Sequence, residues 1–150
     1  MRNSATPYIV GLLVFSSTKR DRFGKLRKTG GFTLITYYAY PKCTTCRKAK
    51  SWLEKNSVDF QEIHIADNPP TKEQLAEIHK ASGLELKKFF NTSGLVYRSL
   101  SLKDKLSTMS EDQQLELLSS NGMLIKRPLA WDGKKVLLGF KEADYQNNWL

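Results

Sequence analysis

The two cysteines of this chain stand three residues apart, in Pro41-Lys42-Cys43-Thr44-Thr45-Cys46-Arg47-Lys48, at a point where the sequence changes its period. Residues 34–40 are apolar, β-branched and aromatic, the composition of a strand. From Thr44 onward Ala49, Trp52 and Leu53 recur on one face, with Arg47, Lys50 and Glu54 directed outward, until Asn56 closes an amphipathic helix. A Cys-x-x-Cys at a strand-to-helix junction constrains fold and chemistry together. The first helical turn has N–H groups without intrahelical partners and the positive end of the helix dipole, and both favour a thiolate. The thiolate, not the thiol, is the nucleophile. Two cysteines this close can also pair with each other once the first has been oxidised.

The chain downstream extends this unit. Residues 58–65 read as a second strand, so the first three elements form a βαβ unit of a parallel sheet. Asn68-Pro69-Pro70 breaks the chain. Thr71-x-x-Gln74 and Ser110-x-x-Gln113 are capping boxes that open two helices, the first with Leu75 and Ile78 inward and a stop at Gly83. Between them lie an apolar helical turn at 86–90, a tight turn at 91–94 with Gly94 expected at positive φ, and a helix expected over 100–106. Leu115, Leu117 and Leu118 follow the second box, and Asn121-Gly122 reads as a C-cap. Residues 129–131 and 136–140 read as a hairpin turning at Asp132-Gly133. A helix over 141–149 completes the order.

At 150 residues the chain can bury one substantial core. A formal net charge of +9 suggests nucleic acid, but residues 1–33 supply +6 of it, with seven Lys or Arg and one acid. Residues 34–150 hold seventeen basic residues against fourteen acidic ones, too even a balance for a nucleic-acid surface. No apolar run is long enough to span a membrane, so no membrane partner is expected. Two cysteines in one motif exclude a disulfide framework and suit a reducing cytosol, which gives a cytoplasmic expectation. Two Cys and two His match a zinc finger in count only, since His64 and His79 lie too far apart. Both histidines read as surface residues, and Trp52, Phe60, Phe89 and Phe90 as core.

Residues 1–33 read as an unstructured or non-native extension, and 34–150 as one α/β domain. The run 8–15 has the length and flanks of a signal-peptide core, but the basic, aperiodic stretch behind it fits an unstructured leader better. Alternatively Gly30-Gly31 reflects a ribosome-binding sequence and Leu34 a non-AUG start. The gene's codons test that: no purine-rich site, or no TTG-type codon at Leu34, removes it.

The element order with the motif after the first strand is that of a thioredoxin-like fold: a four-stranded mixed sheet arranged β-α-β, helical insertion, β-β-α. Four stretches together, Pro41 to Ala49, Phe90-Asn91-Thr92-Ser93-Gly94, Tyr97-Arg98, and Leu124-Ile125-Lys126-Arg127-Pro128-Leu129, resemble the arsenate-reductase-like family. That family includes glutaredoxin-linked arsenate reductases and Spx-type regulators, and the resemblance covers 34–150. It implies a nucleophile at Cys43, a resolving or switch cysteine at Cys46, and an anion- or thiolate-binding Arg127 ahead of a cis Pro128. The expected substrate-binding residues are Arg47, Asn91 and Pro128, and Lys42, Arg47 and Lys48 lie close enough to Cys43 in sequence to favour its thiolate by charge.

The pattern departs from arsenate reductase at two positions. Asn91 and Gly139 stand where second and third oxyanion-binding arginines are expected. Losing two charge-assisted contacts, each worth about 1.5–3 kcal/mol, disfavours arsenate itself. The expectation is a monomeric thiol–disulfide oxidoreductase without metal or organic cofactor, reduced by a thioredoxin- or glutaredoxin-type donor. The alternative is a redox-sensing regulator that binds the RNA polymerase α-subunit through the insertion, around 79–86; such regulators carry a C-terminal tail longer than the stretch after this chain's last helix.

Overall fold

A computed structural model describes residues 34–150; the three readings of 1–33, as a signal-peptide core, an unstructured leader or a non-native stretch, lie outside the described residues. The first unit is β1 (Ile35–Ala39), α1 (Thr44–Lys55) and β2 (Phe60–His64). The insertion holds α2 (Lys72–Ser82), a short 3₁₀ turn (Leu86–Phe89), α3 (Leu95–Ser99), α4 (Leu102–Lys105) and α5 (Glu111–Ser120). The chain ends with β3 (Leu129–Trp131), β4 (Val136–Leu138) and α6 (Glu142–Trp149). The sheet order is β2-β1-β3-β4, with β1 and β2 parallel and the other pairs antiparallel. This is the expected mixed four-stranded, thioredoxin-like arrangement.

Alternation along the strands divides the core into two clusters, one on each face of the sheet. Ile35, Tyr37 and Ala39 of β1 and Ala130 of β3 point to one face, where α1 contributes Cys46, Ala49, Trp52 and Leu53 and α6 contributes Tyr145. Tyr38 and Leu129 point to the other, against Leu75 and Ile78 of α2, Leu115 and Leu118 of α5, and Phe89, Phe90 and Tyr97. Both capping boxes form with reciprocal side-chain and backbone bonds, and Gly83 ends α2 in the left-handed region.

Several local expectations are corrected. The helix expected over 100–106 starts later, because Ser101 sits at φ 53 between α3 and α4, and α4 passes into a 3₁₀ turn over Leu106–Thr108. Gly94 has φ −73, not positive, and serves as the N-cap of α3. Asn121 is the C-cap of α5 as expected, but it is extended and its side chain also caps a 3₁₀ turn (Gly122–Leu124) by accepting from the Met123 N–H. Gly122 is buried against Ile65, whose carbonyl oxygen lies 1.8 Å from where a Cβ would stand, so the position requires glycine for close approach. The hairpin reverses over Asp132 to Lys135, with strand residues Trp131 and Val136 paired. Asp132 is a brace in that reversal: its carboxylate accepts from the Lys134 and Lys135 N–H groups and from the Trp149 indole.

Candidate functional site

Cys43 is the N-cap of α1, with φ −85 and ψ 115, and its Sγ accepts from the Cys46 N–H at 3.3 Å. That position is usually filled by Ser, Thr, Asp or Asn, whose oxygen satisfies an orphan N–H. Here sulfur takes the bond. The first turn holds no acidic residue to oppose a negative charge. The Cys43 N–H bonds to the Tyr40 carbonyl at 2.9 Å, which folds the end of β1 directly into the helix. Both cysteines are free thiols.

The two sulfurs have different surroundings. Cys43 is half-buried and lines an open cleft of about 720 Å³. Cys46 is 2% exposed in the aromatic core behind it. The Tyr37 hydroxyl donates to the Cys46 carbonyl at 2.6 Å and holds the turn in place; burial raises the Tyr37 pKa, so the hydroxyl stays protonated.

Arg127 closes the site from the opposite segment. Its guanidinium lies over the Tyr40 ring at 5.1 Å, donates to Met123 Sδ at 3.4 Å and stands near enough to Cys43 to favour its thiolate. The Arg127–Pro128 bond is cis, as the resemblance implied. Partial burial pushes the Cys43 thiol up, but the bonds from Cys46 and the guanidinium of Arg127 outweigh it and hold the thiol below its ordinary value. Burial, reinforced by the bond to Cys43 and that sulfur's charge, pushes Cys46 up to about 12. The arrangement favours one ionised, accessible sulfur with a protonated, sheltered one beside it.

The cleft brings together three of the expected residues, Cys43, Asn91 and Arg127. Asn91 is anchored by its N–H to the Leu124 carbonyl at 2.7 Å, and its side-chain oxygen accepts from the Ser93 hydroxyl at 3.2 Å. Pro128 is buried behind Arg127, outside the lining, and its carbonyl accepts from Gly139 N–H at 2.8 Å. Arg47 lies on the exposed face of α1 and does not line the cleft. Gly139 does line it, at φ 76.

Sequence reasoning missed a second group of lining residues: Lys126, Lys141, Met123, Leu95 and Phe140. Lys126 was visible as the neighbour of Arg127. Leu95 gave a signal only in retrospect, as an apolar residue left 81% exposed at the cleft edge. Among the described residues no group of three or more His, Cys, Asp or Glu is placed to hold a metal. No helix among them is long and apolar enough to cross a membrane.

Known proteins resemble this chain in sequence and in fold. Over 115 residues the chain is 63% identical to the uncharacterized protein YusI of Bacillus subtilis (strain 168), covering 77% of this chain and 98% of that one. It is 37% identical to the global transcriptional regulator Spx of Streptococcus agalactiae, covering 74% and 80% of the two chains. A solved structure described as a possible arsenate reductase from Streptococcus mutans superposes with a TM-score of 0.70 at 48% identity, covering 75% and 97%. The family model for the ArsC family matches residues 38–148, and the chain belongs to the ArsC family.

Proposed function

We propose that this protein carries out thiol–disulfide exchange, with Cys43 as the attacking thiol and Cys46 as the resolving one. The observation that carries this reading is the asymmetry of the pair: Cys43 lines the cleft beside Arg127, and Cys46 is buried behind it. The Cys43 thiolate attacks one sulfur of a disulfide, and the other sulfur leaves as a thiolate. Cys46 then loses its proton and attacks Cys43, expelling the second thiol and closing the Cys43–Cys46 disulfide. Attack on the pair by a thioredoxin- or glutaredoxin-type dithiol restores the reduced form. A reducing cytosol suits such a cycle.

The test is turnover of a neutral disulfide, bis(2-hydroxyethyl) disulfide, with a dithiol donor. Cys43→Ser should abolish it, and Cys46→Ser should stall it at a mixed disulfide visible by mass spectrometry. Absence of turnover in the wild-type protein would contradict the reading.

A second reading, a redox-sensing regulator, is favoured by one observation: the identity to Spx and to the regulatory protein MgsR. It predicts binding to the C-terminal domain of the RNA polymerase α-subunit, with an affinity that changes on oxidation of the pair. Equal absence of binding in both redox states would end it. Arsenate reduction itself is disfavoured by Asn91 and Gly139 in the cleft wall, and is tested by arsenate-dependent oxidation of the donor.

A further inference from the structure

The cleft beside Cys43 is lined by three cationic side chains, Lys126, Arg127 and Lys141, and by no carboxylate. Arg127 is engaged with Cys43, Tyr40 and Met123. The lysines are exposed, and neither is in any ion pair found among the described residues. Glu142 and Asp144 follow Lys141 in the first turn of α6 but do not line the cleft.

Both lysines sit on hydrogen-bonded backbone. Lys126 N–H bonds to the Phe89 carbonyl at 2.7 Å, and the Lys141 carbonyl accepts from the Asp144 N–H at 3.1 Å and the Tyr145 N–H at 3.2 Å at the start of α6. Gly139 has no side chain, and the Lys126 Cε lies 3.6 Å from where a Cβ would stand. The lysine stem therefore passes beside Gly139 at ordinary contact distance, along the cleft wall. The remaining wall is apolar, with Leu95, Val96, Met123, Leu138 and Phe140. A volume of about 720 Å³ is that of a small-molecule site.

We propose that Lys126 and Lys141 are specificity-determining residues that select small disulfides bearing carboxylates for attack by Cys43. This rests on the exchange reading above and adds the substrate class to it. The apolar wall takes the carbon chain of such a molecule, Arg127 stays with the sulfur, and the lysines meet its carboxylates. One substrate disulfide and the two cysteine thiols become two small thiols and the Cys43–Cys46 disulfide, and an external dithiol returns the two electrons.

The test compares three small disulfides in reaction with the reduced protein at low salt: dithiodipropionate (dianionic), bis(2-hydroxyethyl) disulfide (neutral) and cystamine (dicationic). The expected order is anionic, neutral, cationic, with at least a tenfold range that narrows as added salt screens exposed charges. In the double variant Lys126→Met, Lys141→Met the anionic-to-cationic ratio should fall by most of that range, and Lys126→Arg with Lys141→Arg should restore it. A thermal melt confirms that the variants fold. A flat or reversed order overturns the proposal. So does a ratio that survives in the double variant, which would assign the preference to Arg47 and Lys48 on the exposed face of α1. If none of the three disulfides reacts, the exchange reading fails, and the lysines are judged by suberate, a dicarboxylate of the same length without sulfur. Slower Cys43 alkylation in the presence of suberate, lost in the double variant, supports the anion site; no effect overturns it.

Discussion

The two faces of the sheet are built on different principles. On the insertion face, α2 and α5 are specified locally, by capping boxes at Thr71 and Ser110 and by Leu75, Ile78, Leu115 and Leu118 at helical spacing. On the cysteine face, α6 depends on distant partners. Tyr145 packs edge-on against Trp52, Phe140 and Trp149, and its hydroxyl reaches the Gly139 carbonyl at 3.5 Å. One aromatic side chain thus touches the cysteine helix, the cleft wall and its own helix. The insertion face supplies stability in separable pieces, and the cysteine face couples stability to the site.

The largest expected effect breaks that coupling. Tyr145→Ala removes a fully buried aromatic, which costs about 3–5 kcal/mol in urea denaturation. It should also open Cys46 to alkylation. Leu118→Ala, equally buried on the other face, should cost about 2–5 kcal/mol and leave the difference between the two cysteines intact. If Leu118→Ala changes cysteine labelling as much as Tyr145→Ala does, the two faces are not distinct in the sense claimed.

The next effect sharpens the role of Arg127. Arg127→Met removes the cation that lowers the Cys43 pKa and keeps an apolar stem over Tyr40. The Cys43 pKa should rise, read as a shift of its alkylation–pH profile to higher pH, with little change at Cys46. An unchanged profile would mean that the helix start alone stabilises the thiolate. The smallest effects lie on the insertion face: Thr71→Ala and Ser110→Ala should each cost about 1 kcal/mol, measured by denaturation, with no change in thiol reactivity.

This contrast also explains what the sequence revealed. Both capping boxes, the inward Leu75 and Ile78, and the Cys-x-x-Cys at the start of α1 were legible because each is set by residues within one or two turns. The sign of φ at Gly94 and the bounds of the helix over 100–106 were not legible, although the turn at 91–94 and a helix within 100–106 both form. Ser101 takes a left-handed conformation that composition does not signal, and Gly94 takes an ordinary one that glycine does not require. Asp132 is the turn residue its context suggested, but its tie to the Trp149 indole, seventeen positions away, has no local signature. The site was legible in part for the same reason. Cys43 and Arg127 stand in recognisable motifs, whereas Lys141, Phe140 and Leu95 reach the cleft only through the tertiary fold. Arg47, near Cys43 in the sequence, is exposed on α1 and does not line the cleft.

The central claim is that the two cysteines have been made chemically unequal by position, and pH-dependent alkylation of the reduced protein, read for each cysteine by mass spectrometry, tests it most directly. Cys43 should titrate below the ordinary thiol value of about 8.5 and react first. Cys46 should stay unlabelled in the native protein, as a thiol whose pKa is pushed up to about 12. Joint titration of both cysteines near the ordinary value, or Cys46 labelling before Cys43, would contradict the account.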